Sequence, residues 1–139
     1  MTTDMIILSE TELIADGTRK VYVNPEDRGQ CIKIDKGKRA YNVIDLNNYQ
    51  QLKDELGDYV PRYIGFVQTN QGAGLVISRV LDDDGGRSRA LLDYVRDDGM
   101  QDIVLKQLER FVHIIRSRDI FLYDINTRNF LVQRQNGAF

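Results

Sequence analysis

The chain has 139 residues, about the size of one domain, and its 42% hydrophobic and 29% charged residues are ordinary for a globular protein. A net charge of −2 gives no electrostatic reason to expect a nucleic-acid or membrane partner. No apolar run approaches the ~18 residues that span a bilayer, and residues 1–4 do not begin a secretory signal. With Cys31 as the one cysteine, a reduced, cytoplasmic setting is expected.

The first half of the chain predicts an antiparallel sheet with one helix. Short alternating segments between turn residues predict strands at 5–8, 13–15, 19–23, 30–34, 63–69 and 74–79. A helix is predicted over 43–56, with Ile44, Leu52 and Leu56 on its buried face and Gly57 as its C-terminal cap.

The second half predicts a smaller, mainly helical part. Residues 81–86 predict a flexible hinge linker between an N-terminal lobe, 1–80, and a partial C-terminal lobe, 87–139. Within this linker Asp82, Asp83 and Asp84 are adjacent, which favours a hydrated connector over a metal cluster. The chain as a whole is therefore predicted to be α+β.

Two helices and a strand are predicted in this part, at 89–95, 100–116 and 130–133. The longer helix carries a stripe expected to be buried, formed by Val104, Leu108, Phe111 and Ile115. His113, the one histidine, is expected to be a partly exposed residue of that helix rather than a catalytic base.

The segment 123–129 contains an acid followed five positions later by an amide, Asp124 and Asn129. In protein kinases such a loop aims an Asp at the attacking hydroxyl and an Asn at a magnesium ion beside the nucleotide phosphates. The pair therefore predicts Asp124 as a catalytic base and Asn129 as a metal ligand. Because Asp and Asn are also common in turns, an ordinary loop is the alternative.

Lys33 lies in an otherwise apolar strand, and Asp45 lies in the helix that follows. A strand lysine that faces a cleft can bind nucleotide phosphates while an acid of the next helix orients it. Kinases use Glu for this acid, and Asp is shorter by one carbon–carbon bond, ~1.5 Å. The ion pair is therefore either absent or dependent on a closer helix. The alternatives are a solvent-facing lysine and an acid that interacts with the helix dipole.

The turn formed by Asp16, Gly17, Thr18 and Arg19 occupies the position of a phosphate-covering loop. Such loops use several glycines so that backbone N–H groups can approach the phosphates closely. Only Gly17 is present here, with the positive charge of Arg19 beside it. Nucleotide binding by Gly17 and Arg19 and an ordinary hairpin turn are both open.

Three motifs in the first half carry a family resemblance: Pro25-Glu26-Asp27, Cys31-Ile32-Lys33 and Pro61-Arg62-Tyr63. Together with the acidic segment 82–86 and the stretch 91–94, they resemble the bacterial PhoP regulatory network protein family, the YrbL-like proteins. The resemblance covers most of the chain, from about residue 8 to residue 132.

This resemblance implies a protein-kinase-like fold and a link to the magnesium-responsive PhoP/PhoQ network. It implies that Lys33 binds the phosphates of ATP, Asp45 is the helix acid, Asp124 is the catalytic-loop acid and Asn129 holds Mg²⁺. Kinases have a further metal-binding Asp beyond this loop, and the sequence stops at Phe139 before reaching it. The resemblance therefore implies a truncated helical lobe.

Two functions are expected. The first is a kinase-like regulatory protein with a degenerate or incomplete ATP and phosphotransfer site, inactive as this truncated chain. The alternative is a pseudokinase-type interaction module that binds a regulatory protein, or a second copy of the chain, and no nucleotide. The lone Gly17 and the use of Asp45 in place of Glu favour the alternative.

Overall fold

The computed structural model describes residues 4–37, 39–120 and 130–135, and the chain divides into two compact units, Met1–Arg79 and Val80–Phe139. The first unit contains, in order, β1 (Leu13–Asp16), β2 (Arg19–Val23), β3 (Gln30–Asp35), α1 (Tyr41–Leu56), β4 (Tyr63–Thr69) and β5 (Gly72–Ser78). The second contains β6 (Arg89–Ala90), α2 (Leu91–Asp98), α3 (Asp102–Ser117) and β7 (Leu131–Val132). None of the described helices is long and apolar enough to cross a bilayer.

The first unit is built on a five-stranded sheet in the order β1-β2-β3-β5-β4, and every neighbouring pair is antiparallel. The one α-helix among the described residues of this unit, α1, connects β3 to β4. The predicted α+β class and the antiparallel sheet with one helix are thus confirmed. The strand expected at 5–8 is wrong: there Ile6 forms only an isolated parallel bridge with Thr69.

Strand β3 separates two hydrophobic layers because successive side chains of a strand point to opposite faces. One buried layer is formed by Ile6, Leu8, Tyr22, Ile32, Ile34 and Val76. The other contains Cys31, Leu75 and Ile77, with Ile14, Val21, Leu46 and Tyr63 packed against it. Leu46 belongs to α1, so the helix lies over the second face. By the same alternation, Lys33 lies on the face that α1 covers.

Helix α1 begins two residues earlier than predicted and buries a different residue in its first turn. Asn42 is 2% exposed, whereas Ile44, predicted to be in the core, is 48% exposed. Because a helix turns 100° per residue, Ile44 points about 200° away from Asn42, away from the sheet. Leu56 is buried as predicted, and Gly57, at φ 52°, ends the helix with its N–H donating to the carbonyl of Lys53.

The second unit has a small core formed by Leu91, Tyr94, Val104 and Val132, with Leu108 and Phe130 packed against it. Of the stripe predicted on α3, Val104 and Phe111 are buried, and the ring of Phe111 packs edge-on against Phe130 at 5.4 Å between centroids. His113 is exposed on α3, as predicted. Strand β7 pairs with β6.

The acidic segment 82–86 is held in place by Arg134 of the same unit. The Arg134 guanidinium donates to Asp83 and Asp84, each at 2.9 Å, and its backbone N–H donates to the carboxylate of Asp82 at 2.8 Å. The segment is therefore a hydrogen-bonded turn of the second unit, which differs from the flexible connector expected from its composition. Within the described ranges, no group of three or more Asp, Glu, His or Cys residues is placed to hold a metal ion.

Candidate functional site

The ammonium of Lys33 is the most distinctive charged group in the first unit. Lys33 lies between Val21 of β2 and Leu75 of β5, its neighbours in the strand register, and its side chain is half-buried. Burial lowers the pKa of Lys33, and the positive charge of Arg19 lowers it further, while Cys31 and Asp45 raise it. Across residues 4–37, 39–120 and 130–135, Lys33 forms no ion pair. Such an ammonium is suited to receive an anion.

Asp45, the predicted partner of Lys33, instead binds Arg19 of β2. The distance between Nη2 of Arg19 and Oδ2 of Asp45 is 2.7 Å, and the two side chains are only 17% and 29% exposed. The carboxylate of Asp45 acts on Lys33 through its charge alone. The direct Lys33–Asp45 ion pair typical of kinases is thus not formed, because the longer arginine side chain reaches the short aspartate.

Asn42 is a site residue that sequence reasoning missed. Its side-chain nitrogen donates to the backbone carbonyl of Lys33 at 2.8 Å, and its side-chain oxygen accepts from Nη1 of Arg19 at 3.1 Å. Its backbone N–H donates to Oδ2 of Asp35 at 3.3 Å. Asn42 thus connects the first turn of α1 to both β2 and β3. Its only sequence signal is an amide residue near a helix start, which is common.

Asp35, the last residue of β3, is a second site residue that no pattern singled out. It lies opposite Arg19 in the β2–β3 register. Its Oδ2 accepts from the backbone of Asn42, and its Oδ1 is buried without a hydrogen-bond partner among the described residues. A buried carboxylate oxygen with no donor is unfavourable unless another group approaches it. The β3–α1 corner therefore has unused acceptor capacity.

Aromatic rings lie beside Arg19 and Asp45. The Arg19 guanidinium lies over the ring of Tyr41 at 5.9 Å, and Arg39 lies over the same ring at 5.6 Å. Tyr63 stacks on Tyr49 of α1 with 4.7 Å between centroids. Burial raises the pKa of Tyr63, and Asp45 adds to the shift, so its hydroxyl stays protonated at neutral pH. These rings therefore lie beside the Arg19–Asp45 ion pair.

Gly17 lies in the tight turn between β1 and β2, where its N–H donates to the carbonyl of Arg19 at 3.1 Å. A Cβ added to Gly17 would meet no heavy atom within 4 Å, so no close approach of described atoms requires a glycine there. Beside the turn, Asp16 and Lys36 form an ion pair that lowers the pKa of Asp16. The geometry fits a hairpin turn, and nucleotide binding by Gly17 stays a prediction.

The remaining predicted site residues, Asp124 and Asn129, lie outside the described residues. Of the predicted set, the structure brings Arg19, Lys33 and Asp45 together on one face of the sheet, with Gly17 in the adjoining turn.

Replacing Lys33 by Met is expected to raise the melting temperature at pH 7. Since the folded-state pKa of Lys33 lies below the ordinary 10.5, the unfolded chain binds more protons between those two values. Stability therefore rises with pH across that window, and the penalty of burying the ammonium is fully present below it. The gain in Lys33→Met should disappear as the pH passes 10.5. Thermal unfolding at several pH values measures this, with the exposed Lys53→Met as the control; equal gains in both variants would contradict it.

Comparison with known proteins assigns the chain to a family. Residues 6–138 match the family model described as PhoP regulatory network protein YrbL. Two relatives, each described as an uncharacterized protein YrbL, come from Escherichia coli (strain K12) and Shigella flexneri. Each is 33% identical over 144 residues, covering 94% of this chain and 67% of the relative. The resemblance drawn from the sequence motifs is confirmed: this chain belongs to the PhoP regulatory network protein YrbL family.

Proposed function

We propose that this chain binds ATP·Mg²⁺ as a kinase-like member of its family, with the ammonium of Lys33 as the phosphate ligand. The observation that carries the proposal is the environment of Lys33. Its half-buried ammonium lies on the helix-covered face of an antiparallel sheet and has no carboxylate bonded to it among the described residues. A phosphate oxygen would supply the missing counter-charge.

The position of Lys33 in the fold supports this assignment. In protein kinases the phosphate-binding lysine lies on the third strand of the N-terminal sheet and faces the helix that follows. Lys33 lies on β3, and α1 follows directly and covers the same face. The order strands, one helix, strands is therefore the order in which kinases arrange this half of their nucleotide site.

The rest of the proposed site rests on residues of the catalytic-loop segment. Asp124 is proposed as the acid that orients the attacking hydroxyl, and Asn129 as the amide that binds Mg²⁺ beside the phosphates. The described residues do not fit a resident magnesium site, because no carboxylate cluster among them is placed for one. Magnesium is therefore proposed to arrive with the nucleotide.

Calorimetric titration of ATP·Mg²⁺ into wild type, Lys33→Met and Lys53→Met tests the proposal. Loss of a charge-assisted contact to phosphate is expected to weaken binding about tenfold or more in Lys33→Met. Lys53 is exposed on the same helix-bearing unit, so its variant should bind as wild type does. Equal affinities for all three proteins would remove the nucleotide site from Lys33.

A second function, an interaction module without nucleotide binding, is favoured by the Arg19–Asp45 ion pair. In this second function, Asp45 holds α1 on the sheet through Arg19. The surface of the first unit then binds a regulatory protein. Thermal unfolding separates the two functions. ATP·Mg²⁺ at about 100 times its dissociation constant adds about 2.7 kcal/mol to the stability of a protein that binds it when folded. No shift in melting temperature at millimolar ATP·Mg²⁺ would favour the interaction module.

A further inference from the structure

The register of β2 and β3 places Arg19 and Lys33 close together on the same face of the sheet. Lys33 lies opposite Val21, and Arg19 lies opposite Asp35, one side-chain step further along the same face. Diagonal neighbours of this kind are about 7–8 Å apart at the backbone, within reach of long side chains. The two cations are therefore neighbours on the face that α1 covers.

One guanidinium binds two side chains of α1 at once. Arg19 donates to Asn42 through Nη1 at 3.1 Å and to Asp45 through Nη2 at 2.7 Å. These two residues are three positions apart, so they lie on the same side of the helix. Asn42 in turn donates to the backbone carbonyl of Lys33 at 2.8 Å. Arg19 thus connects β2 to α1, and through Asn42 to the backbone of Lys33 itself.

We propose that Arg19 is the positioning residue of this site: it binds the helix acid Asp45 in place of Lys33, and so leaves the Lys33 ammonium available for the phosphates of ATP. This inference rests on the proposed nucleotide site and assigns its internal arrangement. In kinases the strand lysine itself binds the helix acid. Here an arginine of β2 holds the helix to the sheet.

This role differs from the phosphate contact expected for Arg19 from its place beside the turn. The side chain of Arg19 is 17% exposed, and both of its terminal nitrogens already donate within the unit. Turning it toward a ligand would leave Asp45 without its counter-charge and the buried oxygen of Asn42 without a donor. Both losses are unfavourable in a site that is mostly shielded from water.

The contact between Arg19 and Asp45 can be tested through the pKa of Lys33, because both charges shift that pKa. Arg19 of β2 lowers the pKa of Lys33, and Cys31 of β3 and Asp45 of α1 raise it, while the neighbour from β5 is the apolar Leu75. Asp35, Tyr41, Tyr49 and Tyr63 are further titratable groups around this site in the described part of the chain. If Arg19 were replaced, Asp45 would lose its partner and would be free to bind the ammonium of Lys33.

Nuclear magnetic resonance of ¹³C-labelled lysine side chains measures the titration of Lys33 directly, with Lys33→Arg identifying its signal. Arg19→Met is expected to raise the pKa of Lys33 and to weaken ATP·Mg²⁺ binding about tenfold, because Asp45 then competes for the ammonium. Asp45→Asn is expected to lower the pKa of Lys33 further. Arg19→Lys keeps the positive charge but not the two-pronged contact to Asn42 and Asp45, and should restore the wild-type titration only in part. Because loss of either charge alone shifts the pKa of Lys33 in these directions, ATP·Mg²⁺ affinity is the deciding measurement: Arg19→Met/Asp45→Asn, which removes the competing acid, should recover most of the affinity that Arg19→Met loses, and a purely structural role for Arg19 would not give this recovery.

Arg28→Met is the matched control, since it removes an arginine that pairs with Glu12 at the surface of the same unit. The Lys33 titration in Arg28→Met should match wild type. An Arg19→Met variant that titrates like wild type, or an Asp45→Asn variant that raises the pKa, would overturn the inference even if ATP binds. Should Arg19→Met fail to fold, Arg19→Gln, which keeps a polar side chain but removes the charge, takes its place in both measurements. If the pKa of Lys33 shifts as expected in Arg19→Met and Asp45→Asn but wild type binds no ATP, the proposed nucleotide binding is wrong, whereas the contact between Arg19 and Asp45 still keeps that acid from Lys33.

Discussion

Asn42→Ala is expected to destabilise the first unit by about 2–4 kcal/mol. The substitution removes the hydrogen bonds from the Asn42 side chain to the Lys33 carbonyl and from Arg19 to that side chain. Because Asn42 is 2% exposed, water cannot replace the lost partners without a local rearrangement. The higher helix propensity of Ala offsets only about 0.5 kcal/mol of this loss.

Hydrogen exchange of the β2 and β3 amides across a urea series measures this effect in the unit that contains the substitution. Asn48→Ala is the matched control, since Asn48 is an exposed asparagine of the same helix. That variant should stay within about 0.5 kcal/mol of wild type. Comparable losses in both variants would show that Asn42 contributes helix propensity rather than the connection between α1 and the sheet.

The sheet was predictable because its strands carry local signals. Alternation of apolar and polar residues marks β2 and β3, and turn residues separate them, so pattern alone locates these strands to within about one residue. The segment 5–8 has the composition of a strand but pairs only through Ile6. Whether an apolar segment joins a sheet edge depends on where that edge lies, which local composition does not encode.

The face of α1 was less predictable because its first turn is held by polar groups. Apolar periodicity predicts Ile44 in the core, whereas Asn42 is the residue of the first turn that is buried. An asparagine can be buried only where donors and acceptors from other elements converge on it. Those groups are the Lys33 carbonyl and the Arg19 guanidinium, both outside the helix. The sequence of residues 41–56 alone therefore does not predict which residue of the first turn is buried.

In the candidate site, the residue types could be predicted from the sequence, but the ion pairs that they form could not. Lys33 and Asp45 were recognisable from residue type and order, and the structure places both on one side of the sheet. Their expected ion pair is replaced by Arg19–Asp45, because side-chain length and cross-strand register decide which cation reaches the acid. The resulting Lys33, half-buried and without an ion-pair partner among the residues that the structure describes, is unfavourable for stability, a conflict that is typical of functional residues.

Gly74→Ala is expected to destabilise the first unit by about 3 kcal/mol through overpacking. Gly74 lies on β5 opposite Val67 and is buried against the face of the sheet away from α1. A Cβ at this position would overlap Cγ2 of Ile32 and lie 3.0 Å from Cδ1 of Ile34. Both isoleucines are buried, and β-branching leaves Ile32 little freedom to turn away.

The same substitution is expected to weaken ATP·Mg²⁺ binding, because Lys33 lies between Ile32 and Ile34 on β3 and moves with them. Urea titration and calorimetry on one protein sample measure both effects. Gly17→Ala is the control: it adds the same methyl group where no heavy atom lies within 4 Å, and should change stability by less than about 1 kcal/mol. Equal stability of the two variants would show that β5 can move aside at Gly74. A stability loss in Gly74→Ala with wild-type ATP affinity would instead show that displacing Ile32 and Ile34 does not move Lys33.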